Sequence, residues 1–225
     1  MAGLATFPLA PVQGWAPSTA WVLVFGGTAL LPDLDSASAT ASRTWGSLTG
    51  ALRTVVALVS RGHRQGTHDA VLAPVAAAAV VALASAHPLA SGVVLALIIG
   101  LTLRGLSLTG AGALGVLVNL ALSAGGAWWL ISNGAAHTAG LPLVVAGGVL
   151  VHIAGDFLTE GGVPVPVAWL FGVDRRLALG LFRTGHTVER MIVAPALTCV
   201  GLWLVIQCVP IFDVLDWSNS LITTS

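Results

Sequence analysis

Long uncharged apolar runs alternate along this chain with short polar strings. Six apolar segments stand out, at Ser18–Leu31, Ala70–Ala86, Leu89–Leu103, Ala111–Ile131, Leu141–Phe157 and Met191–Val209. A bilayer core takes roughly 20 apolar helical residues to cross. Several of these segments fall short of that, which suits either close packing through Gly and Ala or partial insertion. Pro88, after His87, predicts a tight turn between the second and third segments. Gly105–Gly110 and Ser132–Gly140 read as the next two loops.

Two longer polar loops remain, Asp33–Asp69 after the first segment and Leu158–Arg190 after the fifth. Within the first, Trp45, Leu48, Leu52, Val55, Val56 and Val59 recur at helical spacing. That pattern predicts an amphipathic helix over Ser42–Ser60, lying along the membrane interface. No internal repeat or low-complexity linker divides the chain. The expected fold is all-α: a multi-pass transmembrane helix bundle of about five to six spans. With its interfacial helix it makes a single domain over residues 1–225.

Composition supports this reading. Hydrophobic residues make up 56% of the chain and charged ones 8%, with a mean hydropathy of +0.93. A soluble domain carries about 25% charged residues. Net charge is zero, and the nine basic residues are all Arg with no polybasic run. That excludes the electrostatic footprint of a nucleic-acid binder. Cys199 and Cys208 sit in an apolar stretch and read as membrane-core residues rather than a disulfide or metal pair. The start of the chain lacks the basic n-region of a cleaved signal peptide. With six spans, the loops after segments one, three and five share a side, and every Arg falls there. The positive-inside rule makes that side cytoplasmic in a plasma or inner membrane.

The ionisable residues crowd three strings, each beside an apolar run: Leu31–Asp35, Gly62–Asp69 and His152–Asp156. Carboxylates and imidazoles are costly near a bilayer and point to function. His152 and Asp156, four apart, share a helix face and can hold one metal ion. Such a pair also arises by chance. Glu160 extends that face only if the helix continues past Thr159, and the two following Gly argue against it. Asp33 and Asp35 bracket Leu34, so an extended turn after Pro32 is needed to aim both inward. Their plain reading is a solvated helix end. His63, Arg64, Thr67 and His68 form the densest cluster, between Gly62 and Gly66; the plain alternative is a basic loop on the lipid surface. Thr67 is the candidate N-cap of segment two. His87 and His137 lie in the opposite loops and read as surface residues without a role. Together the strings suit one or two divalent ions, with Arg64 and Arg190 placed to stabilise developing anionic charge.

The order of these strings resembles the YdjM-type family of membrane-bound metal-dependent hydrolases. The match runs through LPDLD at Leu31–Asp35 and GHRQGTHD at Gly62–Asp69. It continues through His152 to Asp156, Leu158-Thr159, Gly161, Pro164 and Pro166, and ends at Gly185 to Glu189-Arg190. It covers about Gly27 to Met191. The family is thought to be distantly related to phospholipase C and P1-type nucleases, which are helical zinc phosphodiesterases. The resemblance implies metal-ligand roles for Asp33, Asp35, His63, His68, His152 and Asp156. It implies supporting or catalytic roles for Arg64, Thr67, Thr159, Glu189 and Arg190. The cofactor it implies is a divalent ion, zinc first, with manganese or magnesium as alternatives. Three departures stand out. Members usually carry a His in the first helix, and here no His precedes His63. Ser36 replaces a His or similar polar residue after LPDxD, and Asp69 follows Thr67-His68 and adds a carboxylate.

The expected function is therefore a membrane metallohydrolase cleaving a small-molecule or lipid-linked phosphoester at the cytoplasmic face. Its partners are the bilayer and that substrate, with no nucleic acid. The alternatives are a metal-ion or proton-coupled transporter and a catalytically inactive scaffold. Transporter sites lie near the bilayer midplane on broken helices, whereas these strings lie at segment ends.

Overall fold

A computed structural model describes residues 15–132, 140–184, 186–193, 195, 196 and 199; side chains before residue 22 and at residue 190 are outside it. Among the described residues six α-helices carry the fold: α1 (Trp15–Thr28), α2 (Ser47–Val59), α3 (Leu72–Ala84), α4 (Pro88–Gly105), α5 (Gly112–Ser132) and α6 (Leu141–Leu158). Single 3-10 turns at Pro32–Asp35, Ala41–Arg43, Gly66–His68 and Ala168–Phe171 shape the connections. Two-residue strands β1 (Val163–Pro164) and β2 (Arg176–Leu177) pair antiparallel in the loop after α6. The chain is thus mostly helical, and this short ribbon is an addition that no periodicity announces.

Three of these helices, α4, α5 and α6, are long and apolar enough to cross a membrane. The 14 residues of α1 and the 13 each of α2 and α3 are shorter. At 1.5 Å per residue they extend only about 20 Å. Of the five to six spans expected, three helices of spanning length are present among the described residues. Most of the sixth segment, with Cys208, lies outside them, and so does His137. Cys199 is free and exposed.

Packing centres on α1, which lies against both α4 and α6. Small residues allow this approach. A side chain on Gly27 would collide with the Ile98 carbonyl of α4, and one on Gly148 of α6 would collide with Thr28. The Thr102 hydroxyl of α4 donates to the Leu23 carbonyl of α1. Around this junction Val24, Phe25, Leu95, Ile98, Val144 and Val145 form the buried core. α3 packs on α6, and α5 packs on α4. The outer faces expose Leu114, Leu117 and Leu122 of α5 and Leu143 of α6, as lipid contact requires.

The expected helix over Ser42–Ser60 begins five residues late. Gly46, at φ +60°, breaks it from the preceding Ala41–Arg43 turn. Trp45 lies before the break, and its indole N–H donates to Asn119 Oδ1 of α5 at 2.8 Å. Asn119 is fully buried and donates in turn to the Gly100 carbonyl and to Thr109. A lone Asn in an apolar span was the signal for this network, and the apolar-stripe reading of Trp45 overlooks it. His87 also has a role after all: it caps α4, its Nδ1 accepting from the Leu89 N–H at 3.2 Å, with Pro88 in the first turn.

Candidate metal centre

Two connections and the last turns of α6 bring the polar strings to one end of the bundle. α1 ends at Thr28 and runs into the Pro32–Asp35 turn. The loop from α2 enters the Gly66–His68 turn just before α3. α6 carries His152 and Asp156 in its last two turns. α6 stops at Leu158 because Thr159 adopts an extended conformation. Glu160 therefore leaves the helix face, and its N–H bonds the Phe182 carbonyl. The following Gly162, at φ +60°, has Leu177 so close that a side chain there would collide.

One ligand atom each from Asp33, His68 and His152 lies within 4.8 Å of the others. His68 Nε2 is 3.3 Å from His152 Nε2 and 3.4 Å from Asp156 Oδ2. His152 Nε2 is 3.8 Å from both Asp33 Oδ1 and Asp156 Oδ2, and His68 Nε2 is 4.0 Å from Asp33 Oδ1. Ligands at 2.0–2.2 Å around a tetrahedral zinc lie roughly 3.3–3.6 Å apart. The observed spacings are close to that, some slightly wider. Asp156 Oδ2 is buried without a hydrogen-bond partner. A buried, unpaired carboxylate oxygen facing two imidazole nitrogens fits a cation between them. A group of Asp, His and His able to hold a metal ion is therefore present, and Asp156 stands beside it.

Asp35 sits one step behind. Its carboxylate is fully buried, and His63 Nδ1 approaches Oδ1 at 2.7 Å. Oδ2 accepts from the Thr67 hydroxyl and from the Arg64 backbone N–H at 3.3 Å. This fixes the loop, including Arg64 at φ +59°, a conformation rare for a residue with a side chain. Since Thr67 donates its only hydroxyl proton to Asp35, its oxygen accepts from His68 Nδ1, 3.0 Å away. The proton of His68 is thereby held on Nδ1, and the Nε2 lone pair faces the cluster. Burial, reinforced by the charges of His152, His63 and Arg64, lowers the His68 pKa to about 3. It is neutral and able to ligate across the physiological range. Burial raises the Asp33 pKa, the His152 charge opposing this. A cation would reverse that cost.

Arg64 Nη2 lies 3.4 Å from Asp156 Oδ1, at the cluster's edge and partly open to solvent. Its guanidinium also packs against Gly161, where a side chain would displace it. Thr67 does not cap α3 as expected. Asp69 does: its Oδ1 accepts from the Val71 and Leu72 N–H groups, both at 2.8 Å. Its Oδ2 accepts from the Val167 N–H at 2.6 Å and the Trp169 indole at 2.8 Å. Those bonds outweigh burial and hold its pKa below the usual carboxylate range. Asp69 is thus a structural tie between α3 and the loop after α6, and not the extra site carboxylate expected. Glu189, itself half-buried, opens a π-helical turn, Glu189–Val193, in which Met191 and Ile192 are exposed.

No family model, curated protein or solved structure matches the chain.

Proposed function

We propose that this protein is a membrane-bound metal-dependent hydrolase of the YdjM type, acting on a phosphoester at the cytoplasmic face. The convergence of Asp33 and His68, from two separate connections, with His152 of α6 carries the reading. In it these three side chains hold a divalent ion, zinc by its affinity for imidazole and carboxylate. Asp156 supplies a fourth ligand, its Oδ2 oxygen. Asp35 and Thr67 orient His68, and His63 buttresses Asp35. Arg64 keeps a fixed positive charge beside the cluster, where an anionic phosphoryl oxygen would lie. The ion supplies Lewis acidity and lowers the pKa of a water towards neutrality. His152 lies less than two turns from the end of α6. That depth favours a site at the membrane face over a transport site at the midplane.

Metal analysis of the purified protein is the first test, with a phosphoester screen run with and without chelator. His152→Ala and Asp156→Asn should each lose the bound ion while the helices stay inserted, because a helix in lipid satisfies its own backbone. Arg64→Ala should keep the ion and lose turnover by roughly 2.7–4 kcal/mol, typical of one lost transition-state donor. If both ligand variants keep wild-type metal content, the scaffold reading replaces this one.

A further inference from the structure

An apolar cleft of about 480 Å³ opens beside the cluster, between α2, α3 and α4. Its origin lies in the packing. α3 commits its face to α6, and α4 commits its faces to α1 and α5. A gap is left between α3 and α4 although a short turn joins them. α2 rests on the Pro32–Asp35 and Ala41–Arg43 turns rather than on a long helix. It bridges the gap without filling it. Val56 lines the cleft from α2, Ala73 and Ala76 from α3, and Val94 and Leu97 from α4.

The cleft wall includes chain neighbours of the cluster residues. These are Pro32, Thr67 and Val149. Pro32 precedes Asp33 and Thr67 precedes His68. Val149 lies three residues before His152 on the same face of α6. Each of the three ligands therefore has a neighbour in the cleft wall. Water finds too few polar partners in such a space to fill it. The wall's hydroxyls, Thr67 and Ser60, are committed to Asp35 and to backbone carbonyls.

We infer that this cleft holds one hydrocarbon chain of a lipid phosphoester whose head lies at Asp33, His68 and His152. The inference rests on the hydrolase reading and names its substrate class. At about 480 Å³ the cleft lies within the usual 300–1,000 Å³ of ligand sites, a size that suits an alkyl chain. Moving a chain from bilayer to cleft gains little hydrophobic free energy, since both are apolar. Selection comes from geometry: a seated chain delivers its own head to the ligands.

The test uses the full-length protein in lipid nanodiscs with a long-chain alkyl phosphate carrying a mid-chain diazirine. Photolabelling should map to Val56, Ala76 and Val94, and should be displaced by unlabelled long-chain alkyl phosphate. Ala76→Trp fills the cleft from α3, and Val56→Trp fills it from α2. Either should keep wild-type metal content and lower the ratio of long-chain to short-chain phosphoester cleavage by roughly tenfold. Labelling confined to the outer faces, such as Leu117 and Leu122 of α5, would overturn the cleft. An equal loss on both substrates in whichever variant keeps its metal would do the same. Wild-type protein without metal or phosphoesterase activity but with labelled Val56 and Ala76 would overturn the hydrolase reading and leave a lipid-binding cleft.

Discussion

The Thr67 oxygen takes part in two hydrogen bonds, and the second decides which nitrogen of His68 carries the proton. Thr67→Val keeps the shape and removes both. Metal affinity should fall roughly 10–100-fold, the usual effect of losing such an outer partner, while Thr67→Ser should retain most of it. Competition with a chromophoric chelator measures both. Asp69→Ala should act on the fold instead. It strands the Val71, Leu72, Val167 and Trp169 donors. At about 1–3 kcal/mol for each buried group left unpaired, the thermal midpoint in detergent should drop sharply before any metal is added. An unchanged midpoint would show that these bonds contribute nothing net. At this scale the strings were legible because an ionisable residue stands out in apolar surroundings. The division of labour was not. Asp33 and Asp35 share a sequence environment, and only the 3-10 turn sends one towards the ligand nitrogens and the other behind them. Asp69 and Trp169 are 100 residues apart in the chain, a pairing no local pattern announces.

Two glycines set how closely α1 approaches its neighbours. Gly27 lets α1 meet α4, and Gly148 lets α6 meet α1 a turn below His152. Gly148→Val should push α1 away from α6, at about the 1–3 kcal/mol typical of overpacking. Metal affinity should fall with it, since Asp33 follows α1 and His152 rides on α6. The same substitution at Gly125, which has open space around it, is the control. Equal melts and equal metal content for both variants would remove the glycines from this role. The long helices were readable because apolar runs bounded by Gly, Pro and polar residues leave little choice of state: Leu141–Phe157 was expected and Leu141–Leu158 is found. The β1–β2 ribbon was not readable, since two-residue strands have no period. The start of α2 was misplaced because a helical stripe of apolar residues continues across Gly46, where the backbone turns away.

For the whole molecule, the Arg residues lie on α2, at the end of α4 and in the connections after α1, α2 and α6, the first two of which bring Asp33 and His68 to the cluster. Ser47, the first residue of α2, and Ala178, in the loop after α6, are both exposed. With Cys199 and Cys208 replaced by Ala, single cysteines at Ser47 and Ala178 should resist an impermeant maleimide on intact cells and react after lysis. Strong labelling from outside would reverse the orientation. The rim of the cleft carries a different consequence. Val55 and Val59 of α2 and Val80 of α3 border it and are exposed. A molecule arriving across that apolar rim comes sideways, out of the leaflet, and its abundance is counted per area of membrane rather than per volume of cytoplasm. Turnover would then follow the mole fraction of substrate among surrounding lipids. Diluting the vesicles in buffer would leave the rate per protein unchanged, whereas diluting the substrate with inert lipid would slow it.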